Sequence, residues 1–359
     1  MVAHLDYRPD LLIVGAGLIG LAIAWRCAQR DLRVAVVDPD PGRGASRVGA
    51  GLLLRAGGRI SRRHLDLRQA SLESYPSFVA ELEQETGLDI TFSQTGLLTV
   101  ALGESAHQSL EGLAGCLRGL GVDNRLLKAD ECRRHEPALS PAVAAGLYTP
   151  DAQVDPEQLQ AALAAACRTR GVTVLEATAV RVEAAQVQLD DGRELEAGQT
   201  LVAAGCWSGQ LLPELGLYPV KGEVVHLRGP ADLLRANLQW QQQDLYVANR
   251  GDGRLVIGAS EEEVGFDRRS TVGAVSRLLR QAAELVPALA SFELIETRAG
   301  LRPKVSDGLP VLGRMPNGVL VATGHYRNGI LLTPVTAAAM ADLVISDRTQ
   351  PLIAPFRPR

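Results

Sequence analysis

No run of apolar residues in this sequence is long enough to span a bilayer, and the first ten residues, MVAHLDYRPD, carry no apolar signal-peptide core. A cysteine framework is missing too. Cys27, Cys116, Cys132, Cys167 and Cys206 are scattered without a C-x-x-C pair, as reduced thiols of a cytosolic protein would be. Positive charge is short: 37 Lys and Arg face 41 Asp and Glu, a formal net charge of −4 that no basic stretch offsets. That balance argues against nucleic acid and anionic membrane surfaces as partners. No internal repeat or low-complexity tract stands out. These absences leave a cytoplasmic globular protein as the expectation.

At 359 residues, 46% of them hydrophobic, the chain exceeds the size at which one core usually stops growing, so two lobes are expected. DLLIV (10–14) is the short continuous apolar run of a buried parallel strand. Apolar and small residues then recur at helical spacing from Leu18 to Cys27, and RVAVVD (33–38) reads as the next strand, completing a β-α-β unit. Residues 64–87 read as helix, kinked or divided at Pro76. TGLLTVAL (95–102) reads as a strand and 104–121 as an amphipathic helix closed by glycine. Asp155 and Pro156 form a helix start, a cap followed by proline in the first turn. VTVLEA and TLVAAG return to strand.

From about residue 218 the pattern becomes antiparallel: YPVKGEVVHLRG, then DLYVANRGDGRLVIGAS, a hairpin turning at Gly251-Asp252-Gly253. A helix over 271–289, a strand over 318–324 and a helix over 328–347 follow. The order predicts an α/β chain. A Rossmann-like nucleotide-binding domain would take residues 8–85, 150–217 and 298–350, and an inserted antiparallel-sheet (α+β) substrate domain 86–149 and 218–297.

Gly15, Gly17 and Gly20 form G-x-G-x-x-G directly after a strand and at the start of a helix. The first glycine permits the tight turn, the second lets backbone approach a pyrophosphate, and the third allows close helix–strand packing. Amides at the helix start favour the phosphate charge. Asp38, at the end of the second strand, stands where an acid accepts ribose hydroxyls. The motif alone fits FAD and NAD equally. GRGASRVGAGLL (42–53), too glycine-rich for an ordinary helix, suits a backbone wrap around a second part of the dinucleotide.

DLLIVGAGLIGLAIAWRCAQR with VAVVD and GASRVGAGLL resembles the N-terminus of the D-amino acid oxidase superfamily of flavoenzymes. LVAAGCWSGQLLPELGL and PVKGEVVHLRG resemble its middle. AGLRPKVSDGLPVLGRMP and VATGHYRNGILLTPVTAAAMADLV most resemble its glycine oxidase branch, which is associated with the thiazole half of thiamine. The resemblance spans residues 10 to 347 and implies FAD as cofactor. It puts Leu18 and Ile19 with the three glycines in the pyrophosphate loop, Asp38 on the adenosine ribose, and Val180 at the adenine. Gly44, Ala45, Ser46, Ala50, Gly51 and Leu52 would line the phosphates and flavin, with Gly205 also on the cofactor. His325, Tyr326, Arg327, Asn328, Gly329, Ile330 and Leu331 would wrap the isoalloxazine, their helix start aimed at its pyrimidine side. The stretch LRPKVSDGLPVLG has no cysteine where monomeric sarcosine oxidases tether their flavin, so the FAD is expected to be non-covalent.

In such an enzyme hydride passes from the substrate Cα to flavin N5, so the protein mainly supplies orientation and field. The substrate carboxylate asks for a cation, preferably a bidentate arginine. The family's arginine falls at Arg302, between apolar residues and before Pro303, and a family tyrosine that shares the carboxylate falls at Tyr246. Arg327 matches a residue whose backbone carbonyl receives the amine, its side chain either engaged there or bracing the loop. His325 is expected to pack beside the flavin rather than act as a base, and no metal ligands are implied. Two residues depart from the family pattern. Leu52 replaces a methionine, and Glu261 stands where an apolar residue can face the pocket. Glu261 is expected to point to solvent; turned inward it would favour an amine-bearing side chain.

The implied reaction is oxidation of glycine, sarcosine or small D-amino acids, with O2 reduced to H2O2 and the imine hydrolysed or passed to thiazole synthesis. A dehydrogenase passing electrons to a quinone or a protein, or a non-catalytic FAD-binding subunit, would share the same motifs. A homo-oligomer is compatible with all three.

Overall fold

The computed structural model describes residues 5–55, 61–103 and 105–358. The first four residues of MVAHLDYRPD, and Glu104 at the expected start of the helix over 104–121, lie outside them.

Three separated pieces of chain build a six-stranded sheet. Its order is Val311–Arg314, Leu320–Thr323, Gln199–Val202, Leu11–Val14, Val34–Asp38 and Thr173–Glu176, parallel except at the Val311–Arg314 edge. Leu11 to Val14 are buried on both faces, which is why DLLIV shows no alternation. Helices Leu18–Ala28, Arg62–Thr86, Pro156–Thr169 and Thr333–Ser346 share one apolar core with this sheet.

The second large sheet has eight strands, in the order Glu293–Lys304, Tyr218–Arg228, Arg254–Gly258, Leu245–Asn249, Asn237–Trp240, Leu97–Leu102, Val143–Thr149 and Arg125–Lys128. It is antiparallel except where Asn237–Trp240 meets Leu97–Leu102 in parallel. That exception is the seam at which the earlier chain segment joins the later one. The expected hairpin is present, with Gly251 at φ +78° and Gly253 at φ +87° in its turn.

Two helices depart from the sequence reading. Pro76 does not divide its helix, which runs unbroken over 25 residues from Arg62 to Thr86. Leu72, Tyr75, Phe78, Val79 and Leu82 are all buried from that helix. Their burial, at roughly 1.5–3 kcal/mol each, outweighs the ~3 kcal/mol that an interior proline costs. The last helix begins at Thr333 rather than within the glycine-containing loop; residues Tyr326–Asn328 form a separate 3-10 turn. Pro334 sits in the helix's first turn, and hydroxyls from elsewhere occupy the carbonyls ahead of it. Among the described residues, no helix is long and apolar enough to cross a membrane.

Candidate active site

A cavity of about 1090 Å3 is lined by residues of both large sheets. Its first wall is the glycine loop. Gly15 leaves the first strand at φ +114°, and a Cβ there would lie 2.5 Å from the Ala203 carbonyl oxygen. A Cβ at Gly20 would lie 1.9 Å from the Gly15 oxygen, so Gly20 serves packing and does not line the cavity. Gly17 caps helix Leu18–Ala28 without a side-chain cap, and a Cβ there would meet nothing within 4 Å. The first helical amides, at Leu18 and Ile19 among others, are thereby left to a ligand. Asp38 fixes the loop: Oδ2 accepts from the Ala16 N–H at 2.7 Å and Oδ1 from the Asp40 N–H at 2.8 Å. Each oxygen keeps a lone pair for a ribose hydroxyl.

Gly44, Ala45 and Ser46 line the next part, beside the 3-10 turn Ala45–Arg47. Ala50, Gly51 and Leu52 follow, and Val180 and Gly205 complete the lining expected on the nucleotide side.

The opposite wall is the segment 325–331, all of which lines the cavity. His325 is buried with Nε2 3.2 Å from the Thr336 hydroxyl, and that burial pushes its imidazole down to about 3. It is neutral and a weak base, as a packing role requires. Ser71 donates its hydroxyl to the Leu331 carbonyl at 2.6 Å, Tyr75 donates to Ile330, and Thr333 donates to Gly329 at 2.8 Å. The N–H groups of Ile330 and Leu331 have no hydrogen-bond partner among the described residues. Leu331 is buried and Ile330 half-buried, unpaired amides there are costly, and the carbonyl and ring-nitrogen acceptors of a flavin answer them. The open helix start, Asp38 and these amides fit FAD.

The rest of the lining comes from the antiparallel sheet. In its register Val220 faces Arg302, Gly222 faces Gly300, and Tyr246 faces Gly258. Arg302 Nη1 donates to the Ser260 carbonyl at 3.2 Å, and no carboxylate lies within 4 Å of Arg302 among the described residues. Glycine at 222 is required by that guanidinium, since a Cβ would stand 2.3 Å from Nη2. Tyr246 reaches over Gly258, where a Cβ would be 2.4 Å from the phenol oxygen. Burial raises the Tyr246 pKa against the pull of Arg302, so the phenol keeps its proton.

Arg327 sends its side chain to the rim, with Nη2 2.5 Å from Asp244 Oδ2 and a second pairing to Glu261. Burial works against its charge, but Asp244 and Glu261 hold its pKa above the ordinary arginine value. The side chain therefore braces the loop. Glu261 does not simply face solvent: its carboxylate accepts from the Tyr326 hydroxyl and pairs with Arg327, leaving the side chain 34% exposed. Burial opposes its ionisation, yet Tyr326 and Arg327 keep its carboxyl below the usual range.

Sequence reasoning missed Arg68. It lines the cavity from helix Arg62–Thr86, is 7% exposed, and has no carboxylate within 4 Å among the described residues. Its Nε lies 3.4 Å from His64 Nε2, and burial pulls its pKa down to about 10. The signal was an arginine inside the stripe Leu65, Arg68, Leu72, Tyr75, Val79, Leu82.

The family model for DAO, FAD dependent oxidoreductase, matches residues 10–343. A glycine oxidase of Geobacillus kaustophilus is 37% identical over 98% of this chain and 97% of its own. The crystal structure of glycine oxidase from that organism superposes with a TM-score of 0.93, covering 98% of each chain at 35% identity. The bifunctional protein ThiO/ThiG of Synechocystis is 34% identical over 98% of this chain, which spans 54% of that longer protein. A match of this extent, on a chain whose helix start, aspartate and unpaired amides meet at one cavity, makes it a member of the DAO family of FAD-dependent oxidoreductases.

Proposed function

We propose that the chain is an oxidase of glycine and comparably small amines, sarcosine and small D-amino acids among them, with O2 as electron acceptor. Arg302 carries the reading. A half-buried guanidinium that lines the cavity and has, among the described residues, one carbonyl partner and no carboxylate is suited to a substrate carboxylate. The Geobacillus relative, named a glycine oxidase, supports the substrate class. FAD, when bound, supplies the ring that accepts hydride from the substrate Cα and returns two electrons to O2. The net change for a primary amino acid is amino acid, O2 and water to 2-oxo acid, ammonia and H2O2, and sarcosine would release methylamine in place of ammonia.

Arg302 grips the carboxylate, and the protonated Tyr246 hydroxyl donates a second hydrogen bond to it. The Arg327 backbone carbonyl receives the substrate amine, while its side chain stays tied to Asp244 and Glu261. His325 takes no proton, because an imidazole pushed to about 3 is a poor acceptor at neutral pH. A thiazole synthase is the proposed consumer of the imine, a link supported by the relatives named ThiO/ThiG.

The test is anaerobic mixing of the yellow holoenzyme with glycine, then air. Bleaching followed by rapid recovery is expected, whereas bleaching without recovery identifies a dehydrogenase. Arg302→Ala should keep its flavin and lose about 2–5 kcal/mol of substrate binding, a rise in KM of at least roughly 30-fold. Wild-type turnover by that variant removes the assignment.

A further inference from the structure

Strand Tyr218–Arg228 alternates in an unusual way. Gly222 and Val224 line the cavity, so Lys221 and Glu223 project from the opposite face. Both are buried there, at 1% and 0% exposure. Two charges out of water are costly unless well paired. Lys221 Nζ lies 2.9 Å from Glu223 Oε1 and 3.0 Å from Glu262 Oε2, and donates to the Arg269 carbonyl at 3.4 Å.

This cluster grips one short segment, 260–262. Lys221 and Glu262 exchange backbone hydrogen bonds at 2.8 and 3.0 Å. The Ser260 N–H donates to the Glu223 carbonyl at 3.2 Å, and the Glu223 N–H donates to Ser260 Oγ at 2.9 Å. The segment's remaining groups face the site. The Ser260 carbonyl accepts the only side-chain hydrogen bond that Arg302 makes among the described residues, and the Glu261 carboxylate holds Tyr326 and Arg327.

We propose that Lys221, Glu223 and Glu262 are positioning residues that set the angle of the Arg302 guanidinium through the Ser260 carbonyl. The inference rests on the proposed role of Arg302. A planar fork binds a carboxylate through two parallel hydrogen bonds only when its plane is set. Here Gly222 opens the space for the fork and one carbonyl orients it, and the buried ion cluster fixes that carbonyl. The cluster also touches helix Val272–Leu285, because Glu223 accepts from the Thr271 N–H at 2.8 Å and from its hydroxyl at 3.1 Å. A purely structural staple between helix and sheet is therefore the competing explanation, and the experiment separates the two.

Acetate, a carboxylate without an amine, is titrated into the FAD-loaded enzyme and followed by the change in flavin absorption. Lys221→Met is expected to weaken acetate on the order of tenfold, with flavin reduction at saturating glycine within about twofold of wild type. Thr271→Ala, which removes the hydroxyl's bond to Glu223 and its cap on the Ala274 N–H while keeping the backbone N–H bond, is expected to lower Tm and leave acetate affinity unchanged. A Lys221→Met enzyme of lowered Tm with wild-type acetate affinity would overturn the proposal. If that variant does not fold, Glu262→Gln, at a half-exposed position, replaces it, and an unchanged acetate affinity there is equally fatal. On an Arg302→Ala background the Lys221→Met effect should vanish, because the cluster acts through Arg302; a persisting effect overturns the coupling. An acetate affinity that Arg302→Ala alone leaves unchanged instead removes the role of Arg302, a distinct failure visible before any cluster variant is made.

Discussion

Gly222→Ala is the sharpest test of the site, because it adds one methyl group and no charge. The new Cβ would stand 2.3 Å from Nη2 and 2.4 Å from Cζ of Arg302. Non-bonded heavy atoms settle at about 3.5 Å, so the guanidinium must retreat by roughly 1 Å. The atoms in the way are the far end of a flexible side chain, and alanine suits a strand interior better than glycine does. The fold should therefore keep its Tm and its FAD. Function should not survive intact. A misplacement of about 1 Å in a group that orients substrate costs on the order of 100-fold, or about 2.7 kcal/mol in kcat/KM. The assay is H2O2 release against glycine concentration, with flavin absorbance giving the loaded fraction. A folded, loaded Gly222→Ala enzyme with wild-type kcat/KM would show that the guanidinium does not work from where it stands.

Other outcomes follow from the same geometry. Tyr246→Phe deletes a phenol that burial keeps protonated, and should raise the KM for glycine by roughly tenfold with kcat nearly unchanged; an unchanged KM would remove Tyr246 from the substrate. Asp38→Asn puts an amide where the Ala16 and Asp40 N–H groups need acceptors, and should weaken FAD binding by about tenfold or more in a fluorescence titration of apoprotein. His64 and His325 are held neutral by burial, at about 4 and about 3, against about 6.5 when unfolded. Their stabilisation is complete above about pH 6.5 and is lost as pH falls toward those values, so Tm should decline steadily from pH 6.5 to 4.5; a Tm that holds or rises across that window contradicts the burial argument.

Local chemistry explains what could be read from the residues in order. The strand, the glycine loop and Asp38 lie within 30 residues and follow from turn, packing and phosphate requirements that act over a few positions. Asp155 caps its helix with bonds to the Glu157 and Gln158 N–H groups for the same reason. Where a local rule met distant packing, it lost. Pro76 stays inside a helix because Leu72, Tyr75 and Phe78 are buried around it. The last helix starts late because Ser71 and Tyr75, about 260 residues away, take the carbonyls of Leu331 and Ile330. Arg302 and Tyr246 entered through family resemblance; nothing in their own neighbourhoods says that Gly222 leaves room for the guanidinium or that Gly258 stands opposite the tyrosine.

The triplet Lys221-Gly222-Glu223 shows why the remainder was out of reach. Two charges flanking a glycine suggest a strand whose charged face meets water. The structure turns that face inward, because Glu262 and Thr271 come from later segments to pair with it. Once the charges are buried on one side, the glycine must lie on the other, under the Arg302 guanidinium. Period-two alternation thus couples a buried ion cluster to a cavity-facing gap across a single sheet, but only the register with Glu293–Lys304 says which arginine fills it. The charged pair around a small residue is the sequence trace of this arrangement, and it becomes readable only with the partner strand in place.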